Sequence, residues 1–145
     1  MIHRSMLPLI LVSLAACADF DGITSSTGGL PDEVIAAPHF QRDIQPIFER
    51  RCGIGGCHSE ATHQAGLYLT PDSAYGALVG RASRLFAGEV FVRPGDAANS
   101  WLVIAISGDD ARRRGLASMP LGSGALTPNQ IQNIVNWINR GAPDD

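Results

Sequence analysis

The chain of 145 residues contains no lysine; all 11 of its basic side chains are arginine. Charged residues make up only 17% and the formal net charge is −3, so no basic field draws this protein to nucleic acid. Aromatic residues are sparse at 6%. The chain has no internal repeat, and no stretch alternates convincingly with period 2, which argues against strands. There are only three cysteines and three methionines. Glycine and proline are plentiful by contrast, 16 and 9, and predict a loop-rich fold of short helices. The hydrophobic fraction of 45% suffices for the core of one small domain.

Residues 1–16 combine Arg4 with a short apolar stretch, Leu7 to Ala16, too short to span a bilayer as a helix. The stretch ends in Leu14-Ala15-Ala16-Cys17, which resembles the lipobox of bacterial lipoprotein signal peptides. The resemblance implies removal of residues 1–16 and lipidation of Cys17, giving a multi-acyl anchor in the cell envelope on the periplasmic side. Ala18 rather than an aspartate follows Cys17, which favours the outer membrane. Two cysteines then remain, Cys52 and Cys57, in a compartment where a close thiol pair oxidises unless something else claims it.

Residues 17–38 are polar and acidic, with Asp19, Asp21, Asp32 and Glu33, and read as a flexible tether. The folded domain is expected at 39–145. The helix signals are four. One helix is expected over 41–52, with Ile44, Ile47 and Phe48 on one face and Pro46 in its first turn, so that regular helix begins near 45. A second spans 71–79, with Thr70 as N-cap, Pro71 at N1 and Gly80 as terminator. A third starts at Trp101, with Ser100 as N-cap. The last follows Thr127-Pro128, with Gln130 placed to complete a capping box and Ile131, Ile134, Val135 and Ile138 as its apolar stripe. The expected fold class is all-α.

The chemistry lies in Cys52-Gly53-Ile54-Gly55-Gly56-Cys57-His58. Covalent haem attachment needs two thiols for the two vinyl groups and an imidazole directly after the second thiol. The common spacing is C-x-x-C-H; here it is C-x4-C-H, and Gly53, Gly55 and Gly56 allow the extra residues to loop out with positive φ. Met119, 61 residues after His58 and the only methionine beyond the signal segment, is the candidate for the sixth iron ligand. Arg81, Arg84 and Arg93 are candidates to pair with haem propionates, Arg93 foremost because Pro94-Gly95 fixes its direction. Tyr68, Tyr75, Trp101 and Leu102 are core residues able to line a haem pocket. Arg112-Arg113-Arg114 reads as a solvated face or as a contact for an acidic redox partner. His39 reads as solvent-facing and His63 as an exposed loop histidine.

Two other readings compete. Cys52, Cys57, His58 and His63 supply the donor types of a small zinc module, although adjacent Cys57 and His58 point in different directions. A cofactor-free structural lipoprotein with a Cys52–Cys57 disulfide needs no maturation machinery.

Over about residues 40–143 the chain resembles the small single-haem c-type cytochromes of class I architecture, in the flavour found in planctomycete and myxobacterial secreted proteins. The resemblance rests on Ile47-Phe48-Glu49-Arg50-Arg51-Cys52, Cys57-His58, Gly66-Leu67-Tyr68-Leu69, Val92-Arg93-Pro94-Gly95-Asp96 with Ser100, Met119-Pro120 and the ending Gln130 to Ala142. It implies one covalent haem c ligated by His58 and Met119. It also implies first and last helices crossing near perpendicular, with Phe48 and Trp137 at the crossing. The implied role is electron transfer between redox partner proteins rather than catalysis, since iron ligated on both sides has no open position.

Overall fold

The structure is a computed structural model and describes residues 29–122 and 124–145. Cys17, the signal segment and most of the expected tether lie outside the described residues. Those described are helical, with two isolated β-bridges and no sheet. A π-helical turn, Phe40–Ile44, runs directly into α1, Gln45–Arg51. The remaining helices are α2, Ala74–Leu78, α3, Trp101–Ile106, α4, Gly108–Arg113, and α5, Pro128–Asn139. No helix among the described residues is long and apolar enough to cross a membrane.

The first helix changes character at Pro46. Proline carries no N–H, so the turn before it is free to widen. The Gln45 N–H donates to the Phe40 carbonyl, five residues back, and regular helix follows with proline in its first turn. Phe40, Ile44, Ile47 and Phe48 are buried on one face, at i, i+4, i+7 and i+8. Phe40 is the hub of the aromatic core: its ring lies 5.1 Å from Trp137, 5.3 Å from Tyr75 and 6.2 Å from Phe48. The family resemblance implied Phe48 and Trp137 at the meeting of first and last helices; Phe40 packs against both.

In α5 the Thr127 hydroxyl accepts from the Gln130 N–H at 3.2 Å, and the Gln130 side chain accepts from the Thr127 N–H at 3.1 Å. Both arms of the expected capping box are therefore present. Two other expected caps are corrected. Thr70 has a buried hydroxyl without a hydrogen-bond partner, and α2 begins only at Ala74, after a turn over Pro71–Ser73. The Ser100 hydroxyl does not cap α3. It donates to the Asp96 carbonyl at 2.8 Å and accepts from the Arg93 N–H at 2.9 Å, while the first N–H groups of α3 donate to the Val90 and Phe91 carbonyls. The helix α4 carried no apolar periodicity in the sequence.

Residues 32–38, expected within the tether, lie along α5. Three asparagines one helical turn apart bind them. Asn129 donates to the Asp32 carbonyl at 2.7 Å, and Asn136 to the Ile35 carbonyl at 2.8 Å. Asn133, fully buried, donates to the Glu33 carbonyl at 2.9 Å and accepts from the Ile35 N–H at 2.7 Å. Pro38 is also buried, and its carbonyl accepts from Arg140 at 2.9 Å. The chain's last residues close the same end: the Phe40 N–H donates to the Asp145 carboxylate at 3.0 Å, and the Gln41 N–H to its carbonyl at 3.0 Å.

Candidate functional site: the Cys52–His58 loop and its cleft

The loop grows out of the C-terminal end of α1. The N–H groups of Cys52 and Gly53 both donate to the Phe48 carbonyl, at 2.8 and 2.7 Å, and end the helix. The chain then turns through Ile54–Gly56, and the His58 N–H returns to the Cys52 carbonyl at 3.1 Å. The two residues beyond the common spacing are absorbed in this turn, and the ends of the motif stay together. The glycines act differently from one another. Gly56 has φ of 84°, the left-handed conformation expected. Gly53 is required by close approach, because a β-carbon there would lie 2.7 Å from the Leu69 carbonyl oxygen. Gly55 is under neither constraint.

Both thiols are free. Cys52 is buried, and that burial pushes its thiol up to about 12, against the small opposing effect of Arg51. Cys57 is half-buried. The His58 imidazole lies with Nδ1 3.0 Å from the Gln64 carbonyl oxygen. Burial lowers its pKa below the ordinary 6.5, opposed by the carbonyls of Gln64 and Leu67, so the ring is neutral at neutral pH. A carbonyl can only accept, so the contact with Gln64 is a hydrogen bond when the ring proton is on Nδ1, the tautomer that leaves a lone pair on Nε2. That is the arrangement of a metal-ligating histidine oriented through its other nitrogen.

The partner carbonyl is delivered by a tight turn. The Gln64 N–H donates to the Cys57 carbonyl at 3.1 Å, and the Leu69 N–H to the His58 carbonyl at 2.9 Å. Directly beside this turn opens a cleft of about 580 Å³, whose walls include Gly66, Tyr68, Ala77, Arg81, Arg84 and Phe91. Its volume lies within the range of about 300–1,000 Å³ usual for small-molecule sites. The Arg84 side chain crosses the face of Gly66, where a β-carbon would meet its Nη1 at 3.0 Å. Both Arg81 and Arg84 are exposed.

Met119 is half-buried against the core, in the loop before α5, with its N–H donated to the Ala105 carbonyl at 2.8 Å. Arg93, the foremost candidate for a propionate, is engaged elsewhere. Its Nε donates to the Asn99 carbonyl at 2.9 Å and its Nη2 to the Gly88 carbonyl at 3.0 Å, because the Pro94-Gly95 turn folds 99 back beside 88. It clamps a loop. In the run 112–114, Arg112 pairs with Asp109 at 2.9 Å. Arg114 pairs with Glu89 at 3.0 Å and lies over the Trp101 ring at 5.6 Å.

His39 is paired with Asp145 at 3.2 Å rather than simply facing solvent. His63 stacks on Tyr68, ring centroids 5.0 Å apart and 17° from parallel. No group of three or more His, Cys, Asp or Glu gathers among the described residues as a metal site would require, so Cys52, Cys57, His58 and His63 do not converge on one point. Residues that the sequence pattern missed are Gln64, which acts through its backbone and leaves no side-chain signal, and Phe91.

Comparison of the chain with protein-family models, with curated proteins and with solved structures finds no match in any of the three.

Proposed function

We propose that this chain is an electron-transfer protein carrying one covalently attached haem c, with His58 and Met119 as the iron ligands, in a cytochrome c-like arrangement. The observation that carries the reading is the His58 imidazole, neutral, with Nδ1 committed to the Gln64 carbonyl at 3.0 Å, one residue beyond a free Cys57 thiol and folded back onto Cys52. What supports the group is two free thiols for two thioether bonds, an imidazole directly after the second, and a cleft beside the 64–66 turn that Arg81 and Arg84 line, though Cys52, Cys57, His58 and Met119 do not line it.

When bound, haem supplies one-electron chemistry between ferric and ferrous iron. The chain's own residues bind, orient and exclude. Cys52 and Cys57 would hold the group from the loop, and Gln64 fixes the His58 ring. Met119 is the candidate for the second iron ligand, and its thioether would raise the potential relative to a second histidine. Arg81 and Arg84, rather than Arg93, are the candidates for the propionates. The packing of Phe40 on Trp137, which joins the first helical segment to the last, supports the reading.

Lipidation of Cys17 would place the domain at the membrane on the periplasmic side, in reach of redox partner proteins. In that case Cys17→Ser moves the protein from the membrane to the soluble fraction.

The test is a pyridine haemochrome spectrum and a haem-stained denaturing gel, on protein exported through a c-type maturation pathway. Haem that survives denaturation with a bis-thioether spectrum supports the reading and gives both cysteines their role. A single-thioether spectrum means that the C-x4-C spacing has cost one bond. Protein without haem overturns the proposal, and a thiol count and zinc assay then separate the disulfide and zinc readings.

A further inference from the structure

The turn that delivers the Gln64 carbonyl is built from unfavourable backbone. His63 has φ of 29° and ψ of 53°, Ala65 has φ of 58° and ψ of 17°, and Gly66 has φ of 68°. Only the glycine adopts such angles without strain; the other two are strained and persist only where their surroundings hold them. What holds this turn is specific. The His63 N–H donates to the Ser59 carbonyl at 2.8 Å, and Gly66 returns its N–H to the His63 carbonyl at 2.8 Å. The His63 ring stacks almost parallel on Tyr68, across the strained segment. Tyr68, expected in the core, is exposed instead and is a wall of the cleft. The stack therefore spans residues 63 to 68 and encloses Gln64, whose carbonyl faces Nδ1 of His58.

We infer that the stacked pair His63–Tyr68 is a positioning device that keeps the 63–66 turn in its left-handed form and so holds the Gln64 carbonyl on His58. His63 is thus not a metal ligand; it acts on the ligand through the backbone. The inference rests on His58 being an iron ligand for its effect on potential, and on the geometry alone for its effect on the His58 ring. A ring proton held on a carbonyl makes Nε2 a stronger donor, which stabilises ferric iron and lowers the reduction potential. Loss of the stack loosens that bond.

The experiment compares the full-length haem-loaded protein with His63→Ala, Tyr68→Ala, the double variant and His63→Phe, which keeps a ring to stack. Two quantities are read: the midpoint potential and the exchange rate of the His58 Nδ1 proton by NMR. His63→Ala and Tyr68→Ala each shift the potential upward, and each speeds the exchange by a factor of about two to ten, the weight of one aromatic stack. The double variant adds little to either single one, and His63→Phe restores both quantities. Unchanged potential and exchange in both single variants overturn the inference, as does a His63→Phe that behaves like His63→Ala. Should the protein carry no haem, the proposed function fails separately. The same variants are then compared by the ¹⁵N shifts of the His58 ring, where an unaltered Nδ1–H tautomer in all of them overturns the positioning role.

Discussion

The ring of Phe40 lies 5.1 Å from that of Trp137, at 35°, and through this contact the start of the folded domain is fastened to its last helix. Trp137 is fully buried and anchors its indole N–H on the Pro143 carbonyl at 2.9 Å. Neither ring belongs to the Cys52–His58 loop, yet both set where α1, and hence the loop at its end, sits.

Truncation of this pair removes core volume that nothing nearby can refill. Phe40→Ala is expected to destabilise the domain by about 3–5 kcal/mol. Phe40→Leu, which keeps most of the volume, should cost clearly less. Denaturant unfolding of the two variants gives the comparison; equal midpoints for Phe40→Ala and the parent chain would show that the contact is not structural.

Asn133 offers a second test, aimed at residues 32–38. Its side chain makes two hydrogen bonds to the backbone of that segment from a fully buried position. Asn133→Ala should therefore cost about 1–3 kcal/mol, the range for unmaking buried hydrogen bonds. It should also speed hydrogen exchange at the Ile35 amide. Exchange at Ile35 unchanged by the substitution would mean that the segment is held by other contacts.

For Met119 the expectation concerns iron. In the haem-loaded protein, Met119→Ala should lower the midpoint potential and open the iron to added carbon monoxide. A reduced variant that keeps its low-spin spectrum and refuses carbon monoxide removes Met119 from the ligand set.

Acid should weaken the domain through two carboxylates. Burial works against ionisation of Asp43, but the Arg42 guanidinium at 2.9 Å and the His39 N–H at 2.7 Å outweigh it and hold its carboxyl below the ordinary 3.8. The Phe40 N–H, with help from Arg140, does the same for Asp145. The unfolded chain takes up these protons first as pH falls. Their stabilisation is complete above about pH 4 and fades below it, as pH falls through the depressed folded values. Thermal melts between pH 6 and 2 measure this, and Asp43→Asn should flatten the acid limb. A variant with the same acid limb as the parent would leave Asp43 without a part in it.

What the sequence conveyed and what it withheld divides by the kind of group involved. Side-chain signals were legible. Thr127, Pro128 and Gln130 mark the start of α5 through a reciprocal cap that needs only those three residues, and Pro46 marks the change of helix type in the first element. Cys52, Cys57 and His58 stand out in the sequence as a set because the proposed haem attachment depends on their adjacency. Backbone partners were not legible. The Gln64 carbonyl, the carbonyls of Gly88 and Asn99 that capture Arg93, and those of Asp32, Glu33 and Ile35 on α5 carry no residue-type signature. The asparagines of α5 stand outside its apolar stripe and hold another segment. The helix α4 buries little beyond Ala111, so periodicity could not find it; its cue is Asp109 and Asp110 in the first turn, which suit the positive end of a helix dipole.

The seam between residues 32–38 and α5 has a mechanical side. A pull applied to the chain before residue 32 meets the three asparagines and Arg140 first, and is passed along the axis of α5. The loop 52–69 hangs from the opposite end of α1 by the Phe48 carbonyl and lies off that line. A load on residues before 32 would therefore fall on the hydrogen bonds to the last helix before it reached the surroundings of His58.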